Sequence, residues 1–127
     1  MLVCLAMLTL SACSGPFLLL PGGELAGPEV MLEVNAIPSN VEALQLETNP
    51  LDPYSVNIGF RLIDGQLYID PADERQWYKY IQTDPNVRIR IGDAESIHQV
   101  LAVRVTDPAI VAQFDEDRHV FRLDPKF

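Results

Sequence analysis

From Val30 onward the chain is dominated by alternation of apolar and polar residues with period two, the signature of half-buried strands. In residues 54–63, Tyr54, Val56, Ile58, Phe60 and Leu62 share one face and Ser55, Asn57, Gly59 and Arg61 the other, which predicts one strand with a core side. Asp64-Gly65 follows and the alternation resumes in Gln66-Leu67-Tyr68-Ile69, a strong hairpin signal. Weaker alternation at Val30, Leu32 and Val34, and again at Leu44 and Leu46, predicts two earlier strands. In residues 86–92, Val87, Ile89 and Ile91 fall inward and Arg88 and Arg90 outward. Residues 96–106 form a longer strand with Leu101, Val103 and Val105 on the core side, and a second face of His98, Val100 and Ala102 that is also apolar. A last strand spans 119–124.

Two stretches break this period. Asp70-Pro71 opens a helix with Asp70 as cap, Pro71 in the first position and Asp73 near the positive end of the helix dipole. At helical spacing Trp77, Tyr78, Tyr80 and Ile81 form one stripe opposite Arg75, Lys79 and Gln82, and Asp84-Pro85 ends the run. Asp107-Pro108-Ala109 repeats the start chemistry and predicts a second short helix through Phe114. The order of elements describes a mainly β (α+β) fold, a six- to seven-stranded antiparallel barrel with two short helices at its corners.

Composition narrows the chemistry. A chain of 127 residues, 48 % hydrophobic and 21 % charged, fits one globular domain. The net charge is −9, and no Lys or Arg precedes Arg61, so the clustered cations that bind nucleic acid are missing. His98 and His119 lack ligand spacing and point to no metal. The carboxylate groups at Asp93-Ala94-Glu95 and Asp115-Glu116-Asp117 fall in loops and read as solvated turns, and no nucleophile elbow or P-loop occurs.

The first fifteen residues form an apolar run too short to cross a bilayer and ending in small residues, as an export signal does. Leu10-Ser11-Ala12-Cys13 resembles the lipobox of bacterial lipoproteins. That resemblance implies removal of residues 1–12, lipidation of Cys13, a tether and entry loop over 13–29, and a folded domain over 30–127. With Cys4 removed and Cys13 blocked, no thiol remains for catalysis or a disulfide. Ser14 after the lipidated cysteine implies the outer membrane, facing the periplasm. The start, Met1-Leu2-Val3, lacks the Lys or Arg of such signals, and the true start is expected further upstream.

Residues 76–92, with Trp77, Tyr78, Asp84, Pro85, Val87 and Gly92, and the strand Leu101-Ala102-Val103-Arg104-Val105 resemble the split-barrel proteins that bind FMN or deazaflavin, in particular the deazaflavin-dependent nitroreductases. The resemblance spans roughly residues 42 to 123 and implies a split β-barrel. It also implies a glycine-flanked cationic phosphate site, and the matching stretch is Gly23-Glu24-Leu25-Ala26-Gly27. Both glycines are present; the cations and hydroxyl are replaced by Glu24, Leu25 and Ala26. Where the FMN branch carries a phosphate-gripping cation in the helix, this chain has Trp77. Arg61, Trp77 and Arg88, with Arg90, are the remaining candidates to face a cofactor. The reading leans away from an enzyme, toward a lipid-anchored envelope protein with a binding or structural role and no cofactor. The alternative is an FMN- or deazaflavin-dependent oxidoreductase. A homodimer through the 98–102 face suits such barrels, and any small-molecule ligand is unidentified.

Overall fold

The computed structural model describes residues 15–126. The segment 1–12 and the lipidation site Cys13 lie outside the described residues. Seven strands form one antiparallel sheet: β1 (Ala43–Thr48), β2 (Tyr54–Gly59), β3 (Arg61–Ile63), β4 (Gln66–Ile69), β5 (Asn86–Ile91), β6 (His98–Arg104) and β7 (Phe121–Pro125). Helix α1 spans Gln76–Thr83 and α2 spans Pro108–Val111. The strand order is β2-β1-β5-β6-β7-β4-β3. Its two end strands are consecutive in the chain, separated only by Phe60, so chain continuity joins the edges and the sheet curls into a split β-barrel.

The inner face carries Leu44, Leu46, Leu67, Ile69, Ile89, Val100 and Leu123, and α1 closes one end with Trp77, Tyr78 and Ile81. Tyr80 flanks that stripe and meets Tyr54 edge to face, with ring centroids 5.4 Å apart. A smaller cluster of Tyr68, Phe114 and Val120 lies under α2. The hairpin between β3 and β4 turns at Asp64 (φ 49°) and Gly65 (φ 75°), the two left-handed residues that a twisted two-residue turn requires.

Several sequence expectations are corrected. Residues 30–34 form no strand: the Val30 N–H donates to Ile97 O (2.9 Å), and the chain then turns in a 3-10 segment at Val34–Ala36. Only Leu32 of the alternating set is buried there, which is too little apolar surface to hold a strand. The expected strand 54–63 breaks at Phe60, where the chain leaves β1 and joins β4; Leu62 keeps the expected face, opposite Leu67, but is 42 % exposed there, and Ile63 packs on the smaller cluster under α2. On β6 the expected faces are reversed. His98, Val100 and Ala102 are the buried side, so the face proposed for dimer contact is interior, and Leu101 and Val103 are the half-exposed side.

The first helix begins at Gln76 rather than after Asp70, with no side chain capping it. The Asp70 and Pro71 carbonyls accept hydrogen bonds from the Arg118 guanidinium (3.0 Å) and the His119 N–H (3.0 Å), and Ala72 pairs with Arg118 as an isolated bridge. These tertiary partners hold 70–72 extended. At the second Asp-Pro-Ala no such partner competes: Asp107 Oδ1 accepts the Ala109 N–H at 3.0 Å and α2 starts as expected, running four residues before turns carry the chain to Phe114.

Candidate functional site

Register decides what becomes of the candidate cations on β5. Antiparallel pairing sets Glu47 directly opposite Arg88 and Gln45 opposite Arg90, on the outer face of the barrel. That face is not open to water. The stretch 22–30, all but Val30 within the expected tether and entry loop of 13–29, lies along it: Gly22 exchanges two backbone hydrogen bonds with Ser55 (2.8 and 2.9 Å), and Leu25 is buried beneath. Ser55, expected on a solvated face, is buried for this reason, and its hydroxyl has no hydrogen-bond partner among the described residues.

Arg88 therefore sits between the sheet and the covering segment. Its Nε and Nη2 grip the Glu47 carboxylate at 2.8 and 2.7 Å in a fork, Nη1 donates to Glu29 (2.8 Å), and Nη2 donates to Leu25 O (3.0 Å). Glu24 approaches to 3.7 Å. Glu47 is only 5 % exposed and also accepts the Leu25 N–H at 2.6 Å. Hydrogen bonding to Glu47 holds the Arg88 guanidinium above its ordinary range, and the bond from Arg88, ahead of one from Gln99, holds the Glu29 carboxyl below its own. Arg90 is drawn in likewise, donating to Gln45 (2.9 Å) and to Ala26 O. Glu47 was not singled out from sequence, yet the complementary spacing of Gln45 and Glu47 against Arg88 and Arg90 carried the signal once the strands are set antiparallel.

A phosphate tail does not fit here. The two glycines of 23–27 flank a segment packed on the barrel, with Leu25 buried and Glu24 beside the guanidinium that would have to serve as ligand. Bringing in a dianion would set it against Glu24, Glu29 and Glu47 together.

The other two candidates lie elsewhere, and the structure does not bring the three together. Arg61, on β3, reaches the turn after α2: it donates to Gln113 O and stands over the Phe114 ring, 4.9 Å from its centroid. Trp77 packs in the core, with one edge on a cleft of about 490 Å³ between β2 and the start of α1. Tyr54, Val56 and Ile58 form one wall of that cleft and Asp70, Arg75 and Arg118 the other, with Leu18 and Leu19 at its rim. Burial pushes the Asp70 carboxyl above its ordinary range, although Arg118, 3.9 Å away, and Arg61 pull it down. Two cations and the carboxylates of Asp70 and Glu74 leave the cleft without net charge, so it suits a neutral, zwitterionic or amphipathic molecule with an aromatic or apolar part better than a phosphate.

The two imidazoles are engaged. His119 stacks on Tyr78 at 4.4 Å, its Nδ1 accepts from Arg104 (2.8 Å), and its Nε2 faces Asp73. Arg104 can only donate, so the proton is assigned to Nε2 and neither nitrogen is free to act as a base. His98 is buried, with Nδ1 bonded to Val30 O at 2.9 Å. Among the described residues no group of acidic, His or Cys side chains is arranged to hold a metal ion, and no helix is long and apolar enough to cross a membrane.

The curled sheet with a helix plugging one end defines the class as the split β-barrel, and solved structures share it. A protein from Listeria innocua described as a candidate pyridoxamine 5'-phosphate oxidase superposes with a TM-score of 0.62 at 20 % identity, over 74 % of this chain and 91 % of its own. A FAD-binding protein from Mesorhizobium loti matches with a TM-score of 0.55 at 11 % identity, over 77 % and 93 %. An F420 reductase matches with a TM-score of 0.52 at 18 % identity, over 77 % and 97 %. By sequence the chain matches no family profile and no curated protein. At these identities the likeness is one of fold.

Proposed function

We propose that this chain is a lipid-anchored protein of the cell envelope, held at the outer membrane on its periplasmic side through Cys13, whose split barrel has a binding or structural role and a degenerate cofactor site. The observation that supports the loss of the cofactor is the fate of Arg88. The cation best placed to take over a phosphate is spent on Glu47, Glu29 and the Leu25 carbonyl, under a segment where the family's phosphate ligands are replaced. In this reading the cleft beside Trp77, whose charges balance, is a binding site, and its ligand is a small molecule with an apolar part. The membrane is the macromolecular partner and nucleic acid is not one.

A second reading keeps the redox chemistry: a flavin- or deazaflavin-dependent oxidoreductase with an altered phosphate site. The names of the similar folds, FAD-binding protein and F420 reductase, favour it. Such a cofactor would supply hydride transfer; in this chain Trp77 and Tyr54 are the aromatic groups that could lie against its ring.

One preparation separates the two. Full-length protein is expressed in a bacterial host with an outer membrane and extracted from the envelope in mild detergent. Its N-terminal peptide should begin at Cys13 with diacylglycerol on sulfur and fractionate with the outer membrane, and the protein should be colourless and show no saturable binding of added FMN. A free thiol on Cys13 would remove the anchor. A stoichiometric yellow chromophore would establish the second reading.

A further inference from the structure

The described chain starts with a small closed loop whose tip the barrel leaves uncovered. Gly15 and Gly22 meet at its neck, so closely that a Cβ on Gly22 would overlap the Gly15 carbonyl. At its tip Phe17 and Leu20 exchange backbone hydrogen bonds (3.0 and 2.9 Å) around Leu18, which adopts a left-handed φ of 52°. Such a turn is costly for leucine and is usually left to Gly or Asn. The side chains gain little burial in return: Phe17 is 69 %, Leu18 70 %, Leu19 98 % and Leu20 67 % exposed. The loop is nevertheless fastened to the domain, by the two bonds between Gly22 and Ser55 and by Asn57 Nδ2 donating to Leu18 O at 3.0 Å. Four consecutive large apolar residues held out on a fixed turn form a patch that needs an apolar partner.

The position of the tip says what that partner is. Only Ser14, Gly15 and Pro16 separate Phe17 from Cys13, so even a fully extended link keeps Phe17, where the tip begins, within about 14 Å of the acylated residue. No Lys or Arg occurs before Arg61, so attraction to anionic headgroups is not what the loop offers; its contribution is apolar contact alone.

We propose that Phe17, Leu18, Leu19 and Leu20 insert into the acyl-chain boundary of the bilayer that holds Cys13, as a second point of attachment. This rests on the lipoprotein reading and deepens it. Two points fix orientation where one lipid would leave the domain free to swivel. Because Leu18 and Leu19 also form the rim of the cleft beside Trp77, that rim is set at the lipid surface, and the cleft takes its ligand from the membrane side.

The test uses the acylated full-length protein carrying Leu19→Trp, reconstituted in phosphatidylcholine vesicles with acyl chains brominated at chosen depths. Emission from Trp77 is subtracted using the unsubstituted protein. Residue 19 is so exposed that the substitution leaves the fold intact, which is checked by circular dichroism. The added emission should be blue-shifted and lose most of its intensity with bromine near the headgroup end of the acyl chains, and less with bromine at the bilayer centre. Acylated protein whose added emission stays red-shifted and open to aqueous quencher overturns the insertion and leaves the anchor standing. Blue-shifted emission that bromine does not quench means that protein, such as a second copy of this chain, covers the tip, and also overturns it. Mass spectrometry showing no acyl group on Cys13 in the same sample overturns the anchor, and the insertion with it.

Discussion

At the scale of single residues, Arg88 and Glu47 carry the most consequence. A buried carboxylate keeps its charge only with full compensation, and here one guanidinium fork and one backbone N–H supply it. Replacing Arg88→Leu strands Glu47 and should destabilise the protein by roughly 2 to 4 kcal/mol in urea denaturation. Adding Glu47→Leu removes the stranded charge, so the double variant should regain more than half of that loss. Equal stability of the single and double variants would mean that the pair is not coupled. The sequence showed that Val87, Ile89 and Ile91 face inward, because period two is local. It could not show that Arg88 is neither solvated nor available to an anion, because that depends on a segment some sixty positions earlier in the chain folding over the strand. The stripe of the first helix was legible for the opposite reason: helical spacing alone places Trp77, Tyr78 and Ile81 on one side.

At the scale of elements, the two Asp-Pro-Ala stretches are a controlled comparison within one chain. Their local chemistry is the same, yet only Asp107 caps a helix, because the backbone at Asp70 and Pro71 is taken by Arg118 and His119. Losing the cap in Asp107→Ala should cost about 1 kcal/mol. Asp70 behaves oppositely. Its carboxyl is held above its ordinary range chiefly by burial, so its ionisation weighs against the folded state from the ordinary aspartate value upward, and in full once the pH exceeds the folded-state value. Asp70→Asn should therefore raise the urea midpoint at pH 7, and the gain should fade on acidification below the ordinary aspartate value, where Asp70 is neutral in both states. A loss at pH 7 would show that the Arg118 pairing outweighs burial. Loop and strand identities followed the same division. The Asp64-Gly65 hairpin is a two-residue signal and stands where the sequence places it, whereas the break at Phe60 and the reversed faces of β6 arise from the sheet curling on itself, which no short window encodes.

At the scale of the whole molecule, the barrel is one layer and the stretch from Gly22 to Val30 is a second, thinner one, fastened by backbone hydrogen bonds to Ser55 and Ile97 and by an ionic seam of first-half acids on Arg88. Glu29, Glu47 and Arg88 make that seam, with Gln99 behind Glu29. The overall class, a mainly β barrel with corner helices, was legible because it depends on the count and period of strands; the second layer was not, because its residues carry no period and read as a linker. Its attachment makes it sensitive to acid in a defined direction. The Glu29 carboxyl is depressed in the folded state below its ordinary value of 4.5, so the stabilisation it lends is complete above that value and is lost as the pH falls through the lower, folded-state one. The barrel core, held by apolar burial, has no such dependence. On acidification the covering segment should thus loosen first. Hydrogen exchange followed from pH 7 to about pH 3, corrected for intrinsic rates, should show the amides of Leu25 and Val30 losing protection while those of Ile89 and Val100 keep theirs. Simultaneous loss at all four would mean that the segment is an integral part of the barrel's cooperative unit. Glu29→Gln should remove most of the pH dependence at Leu25, since the carboxyl that Arg88 and Gln99 depress is then gone.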